Sequence, residues 1–177
     1  EVVVEHGSGS GIYRYNDMVT AAAAQAEPGK KFSHWERGGT VVSYAEKYSF
    51  YVNGNTTVSA VYVAETEAVT KRPILVMSTP VAIAEENKIA FFAERDLPEQ
   101  YALVETGILL GTRADLTLHA AGVLKTVSIT GKNKGQFTVR KGNVAAGEIW
   151  YGRAYMIYKD NGIVKTIYSD VVSGALQ

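Results

Sequence analysis

Cysteine is absent from this 177-residue chain, proline occurs only 4 times, and neither sign of charge is in excess, with 18 Lys plus Arg against 18 Asp plus Glu. Without cysteine there is no disulfide framework and no thiolate metal site. A balanced charge argues against a general nucleic-acid binder, which carries a basic excess. No apolar run approaches the roughly 18–20 residues that a membrane-spanning helix needs. No basic segment leads into an apolar one near Glu1, so no signal peptide or lipidation motif is visible, and a start without Met reads as a processed fragment. What is present suits a folded chain: 46% hydrophobic residues, 17 Gly and 11 Tyr. Length allows one large domain or two small ones, at about 100–200 residues per domain.

Alternation dominates the pattern. In residues 47–63, KYSFYVNGNTTVSAVYV, Tyr48, Phe50 and Val52 share one face of a first strand, and Val58, Ala60 and Tyr62 share one face of a second. In residues 148–159, Trp150, Gly152, Ala154 and Met156 face one way, and Tyr151, Arg153, Tyr155 and Ile157 the other. Asn161-Gly162 between this run and 163–172 is a strong hairpin signal. Residues 65–72, ETEAVTKR, are polar and precede Pro73, so they read as a linker between modules at 1–64 and 73–177. Residues 17–26, DMVTAAAAQA, have an N-cap candidate, an alanine run and a Pro28-Gly29 stop, which favours a short helix. The competing reading is a strand with Val19, Ala21 and Ala23 on one face.

Candidate chemistry is thin. HGSGSG at 6–11 lacks the Lys-Ser/Thr ending of a phosphate loop, and Gly9 stands where a nucleophile elbow needs its Ser, so the glycines read as turn residues. His6, His34 and His119 are isolated, with no partner at metal-ligand spacing. No catalytic residue, cofactor or metal is therefore expected, and the chain reads as non-enzymatic. Charge is uneven locally: acids crowd 85–105, while 125–141 holds Lys125, Lys132, Lys134, Arg140 and Lys141 with no acid. That basic stretch reads as solvated edge strand, where lysines discourage edge-to-edge pairing, against the alternative of binding anionic wall polymers or nucleic acid. Tyr151, Arg153 and Tyr155 form an outward row if Trp150 and Met156 face the core, and such a row suits contact with a glycan or protein partner. Tyrosine on a sheet's outer face is also ordinary. Lys88 beside Asn87 is the one pair to inspect for an internal isopeptide bond, and adjacent residues are poor candidates for it.

Two resemblances add to this reading. Gly29, Phe32 and Trp35 in GKKFSHW, then Thr57, Val58, Ala60 and Tyr62, resemble the divergent branch of the listerial internalin B-repeat family across residues 10–63. An aromatic strand (Ile12, Tyr13, Tyr15) and a turn at Asn16-Asp17 fit the same order. The resemblance implies a small β-grasp-like module of an extracellular bacterial protein, and it favours strand over helix at 18–24. Phe32 and Trp35, with the largest apolar areas nearby, are expected to anchor its core.

From Pro73 onward seven strand signals arrive at sandwich spacing: ILVMSTPVAIA, NKIAFFAER, YALVETGILLG, LTLHA, GQFTVR, IWYGRAYMIYK and IVKTIYSDVV. Gly147, Tyr151, Arg153, Ala154 and Tyr155, with Gly107, resemble bacterial fibronectin type III modules, with Trp150 at the place of the family's corner tyrosine. This implies a seven-stranded immunoglobulin-like sandwich. The expectation is a mainly β, monomeric, two-module fragment of a bacterial secreted or cell-surface protein, a spacer or adhesive element without nucleic-acid partners. The alternative is a carbohydrate-binding accessory of a larger extracellular enzyme.

Overall fold

A computed structural model describes residues 1–176. The chain is mainly β: fifteen strands and one 3-10 turn, with no α-helix among the described residues. It divides into two compact units, Glu1–Ile74 and Leu75–Gln177.

Unit 1 holds β1 (Val2–Glu5), β2 (Gly7–Ser8), β3 (Met18–Ala23), β4 (Lys30–Arg37), β5 (Thr40–Ser43), β6 (Lys47–Tyr51) and β7 (Thr56–Ala64). They form one sheet of order β1-β7-β4-β5 and another of order β2-β3-β6. Trp35 of β4, fully buried, packs toward Tyr48 of β6, and Tyr48 stacks on Phe50 at 4.9 Å. Aromatics thus bridge the two sheets, and the Trp35 indole N–H is satisfied by Ala45 O at 3.0 Å.

The alanine run is strand, as its local sequence alone would not require. Pairing with β6 places Val19 and Ala21 opposite Phe50 and Tyr48, and both side chains are buried. Tertiary burial overrides a weak helical preference here. Gly7 corrects the turn reading: it lies in β2, where an added Cβ would meet Ala22 O at 2.5 Å and the Trp35 ring at 2.9 Å. Residues 12–15 are not a strand either. Only Gly11 bridges to Val2, and Ile12 is 86% exposed.

Unit 2 holds β8 (Ile74–Met77, whose first residue belongs to unit 1), β9 (Val81–Ile83), β10 (Lys88–Asp96), β11 (Ala102–Gly111), β12 (Leu124–Lys125), β13 (Lys134–Lys141), β14 (Ile149–Asp160) and β15 (Ile163–Ala175). One sheet runs β13-β10-β8 with β9 also on β10; the other runs β12-β11-β14-β15. Ile89, Phe91 and Ala93 from the first meet Ile108, Ala154 and Met156 from the second in one buried cluster. The segment 116–120, expected as a strand, forms turns; the short strand comes later, as β12. ILVMSTPVAIA is two strands rather than one, interrupted at Ser78–Pro80. Asn161 and Gly162, both at positive φ, make the β14–β15 turn.

The uneven charge acquires a physical meaning in this sheet. β10 and β13 are antiparallel neighbours, with Asp96 opposite Lys134 and Ala90 opposite Arg140. The acidic and basic stretches of sequence are thus brought side by side.

Candidate interaction surface

β14 carries the row singled out from sequence. Its alternation is as expected, with Gly152, Ala154, Met156 and Tyr158 buried toward the core cluster and Tyr151, Arg153 and Tyr155 on the opposite face. That opposite face is covered. The chain between β11 and β13 folds back over it, and Leu116, Leu118 and Val123 pack on Leu109, Tyr151 and Tyr155. Tyr155 is 0% exposed, so its side chain is not the outward, open one expected of that row.

Tyr155 and Arg153 are both held by internal bonds. The Tyr155 hydroxyl proton is shared between Glu105 Oε1 and Thr126 O, each 2.9 Å away. Lys125 completes the arrangement, with its Nζ 2.7 Å from Glu105 Oε1 and 5.7 Å from the Tyr155 ring centre. Burial, followed by the neighbouring Glu105 carboxylate, pushes the Tyr155 phenol well above its ordinary range. The hydrogen bond from Lys125 holds the Glu105 carboxyl below its ordinary value. Arg153 donates from Nε to Ser169 O at 2.9 Å and from Nη1 to Leu116 O at 3.1 Å, while its guanidinium lies 4.6 Å over the Tyr168 ring. A β-bulge opposite Ala154 creates the first of these acceptors: two residues of β15, Ser169 and Asp170, face one of β14.

Gly107 is the residue that lets the cover approach. A Cβ there would run into Thr126 O and lie 2.9 Å from the Tyr155 ring. Thr126 locks the same crossing, its hydroxyl donating to Ile108 O at 2.7 Å.

Sequence reasoning missed Arg95. It is buried on β10, and its guanidinium donates to Lys132 O, to Ser128 Oγ at 3.2 Å and to Thr130 Oγ1 at 2.7 Å, with the Phe137 ring 5.0 Å away. One side chain thereby fixes residues 128–132. Among what the covering chain shows to solvent are three apolar side chains, Leu124, Val127 and, at 98% exposure, Ile129, beside charged ones such as Arg113 and Asp115. The only available signal for Arg95 was a charged residue in phase with Ile89, Phe91 and Ala93, which is the parity of a core position.

The three histidines differ in their local settings. His6 and His119 are exposed on left-handed turns. His34 lies between Ser33 Oγ, 2.8 Å from Nδ1, and Glu36 Oε1, 3.1 Å from Nε2. Ser33 of that trio is buried, and no cluster of metal-ligating side chains occurs among the described residues. Lys88 pairs with Glu86 at 2.6 Å rather than with Asn87. No helix among the described residues is long and apolar enough to cross a membrane.

Exposed aromatics occur elsewhere, in unit 1. Tyr51 (42%) faces Met18 (61%) across the β3–β6 pair, and Tyr15 is 53% exposed.

Residues 2–66 match the family model of the divergent InlB B-repeat domain. The match spans β1 through β7, including the β1 strand that precedes the resemblance read from sequence. No curated protein and no solved structure matches the chain.

Proposed function

We propose that the chain is a non-enzymatic pair of β-modules in a bacterial secreted or cell-surface protein, acting as a spacer that holds other parts of that protein apart. The match of residues 2–66 to a bacterial repeat domain carries this reading, because it spans every strand of unit 1. Unit 2 supports it by its strand order. β13-β10-β8 facing β12-β11-β14-β15 is the arrangement expected of an immunoglobulin or fibronectin type III-like sandwich. In unit 1, the parallel neighbours β1 and β7 favour the β-grasp likeness, with strand β3 in place of a helix. The polar side chains best suited to binding in unit 2 hold its own covering segment, which is what a structural element requires.

A second reading, carbohydrate binding as an accessory to an enzyme, rests on the exposed Tyr15, Tyr51 and Met18 of unit 1. Exposed aromatic faces suit sugar rings through their apolar C–H surface. Co-sedimentation with purified peptidoglycan and wall polysaccharide separates the two. A spacer stays in the supernatant. Saturable retention abolished by Tyr15→Ser with Tyr51→Ser would overturn the spacer reading in favour of the second.

A further inference from the structure

Unit 1 begins and ends on neighbouring strands. β1 and β7 pair in parallel, from Val2 opposite Thr56 to Glu5 opposite Ser59. Because the two strands run the same way, tension applied at Glu1 and at Glu65 pulls them in opposite senses along a shared axis. All bonds of the ladder are then stretched together, since parallel bonds are evenly spaced along the pair. If the strands were pulled apart from one end, the bonds would instead break one after another under the full force.

Three further features oppose sliding of β1. Its ladder extends by a bond from Thr56 N–H to Glu1 O at 3.1 Å, and the Ser59 hydroxyl donates to the Glu5 carboxylate. The other edge of β1 is held too: Val2 and Gly11 exchange two backbone bonds of 2.9 Å, and Val4 N–H donates to Ser10 Oγ at 2.9 Å. Finally, Val2 and Val4 are buried, with Val4 opposite the buried Val58 of β7. A one-residue slip would turn these valines outward and drive Glu5 toward the core.

We propose that β1 and β7 form a shear clamp, making unit 1 a mechanically resistant tether along the axis of the chain. This deepens the spacer reading and rests on it for its biological setting. The physical claim is independent of that setting, because it concerns only how force enters the two strands.

The absence of native cysteine makes the test direct, since introduced thiols are unique attachment points. Two variants of the full chain are compared by single-molecule pulling at matched loading rates. Glu1→Cys with Glu65→Cys loads β1 and β7 in shear. Glu1→Cys with Asn53→Cys pulls on the same end of both strands and peels them. The two variants share Glu1→Cys and differ only in the second attachment point, and matching their urea midpoints first lets a difference in force report the direction of loading. We expect the shear pair to unfold unit 1 at a force at least twofold higher. An equal or lower force in the shear geometry would overturn the clamp while leaving the spacer reading to the sedimentation test.

Discussion

Gly152 shows how closely single atoms are specified in unit 2. A Cβ at this position of β14 would lie 2.4 Å from Cδ1 of Phe91, a core residue of the opposing sheet. Gly152→Ala is therefore expected to destabilise unit 2 by about 1–3 kcal/mol, the range of overpacking changes, and Phe91→Leu should recover part of the loss. Urea denaturation of the single and double variants checks this, and additive losses would contradict direct contact. Glycine inside an alternating strand was a legible signal of close approach; its partner, Phe91, was not, because nothing local specifies which residue faces it. Trp35 was legible for a simpler reason: it is large, apolar and in phase with a strand. Tyr155 was legible only by half. Alternation assigns its parity, but the cover comes from turns at 112–123, whose polar residues give no periodic signal of the apolar contacts made by Leu116 and Leu118.

At the scale of elements, β3 and the 128–132 segment illustrate opposite lessons. β3 has helix-forming residues, yet two neighbouring strands and a buried face decide its state. The 128–132 segment has no regular structure, yet the Arg95 guanidinium orders it through three bonds. Arg95→Met is expected to speed amide exchange across 128–132 by tenfold or more, and to cost unit 2 about 1.5–3 kcal/mol per charge-assisted bond left without replacement by water. Arg95→Lys should not restore protection, because an ammonium cannot reproduce the planar fork that reaches three acceptors. Exchange followed by mass spectrometry reads both, and unchanged rates in the Met variant would show that the segment orders itself. The charge segregation noted in sequence also belongs to this scale. The β10–β13 and β11–β12 pairings, with Glu105 bonded to Lys125, place the acidic and basic stretches side by side, a relation between strands that no linear reading displays.

At the scale of the whole molecule, two groups on the covered face contribute to the pH dependence of unit 2. The Glu105 carboxyl is lowered in the folded state, so its contribution is fully present above the unfolded glutamate value of about 4.3 and is lost as pH falls through the lower folded value. The Tyr155 phenol is raised, so its contribution is present below about 10 and is lost as pH rises through the folded value. Unit 2 should accordingly be most stable on a plateau between these limits, and Tyr155→Phe should remove the part of the alkaline loss due to this phenol. Urea midpoints measured from acid to alkaline pH test this, and an unchanged alkaline limb in the variant would contradict it.

The two-unit organisation was approached through the polar stretch at 65–72, while the pairing of β1 with β7 was not, since contacts across more than fifty residues leave no local pattern. The account turns on Tyr155 and Arg153, two side chains suited to meeting a partner that bond the molecule's own covering segment. Equilibrium urea denaturation of Tyr155→Ser in the full chain tests this most directly. A buried tyrosine predicts a loss of about 3–5 kcal/mol in the unit 2 transition. A change within about 0.5 kcal/mol, the behaviour of an exposed surface position, would contradict it.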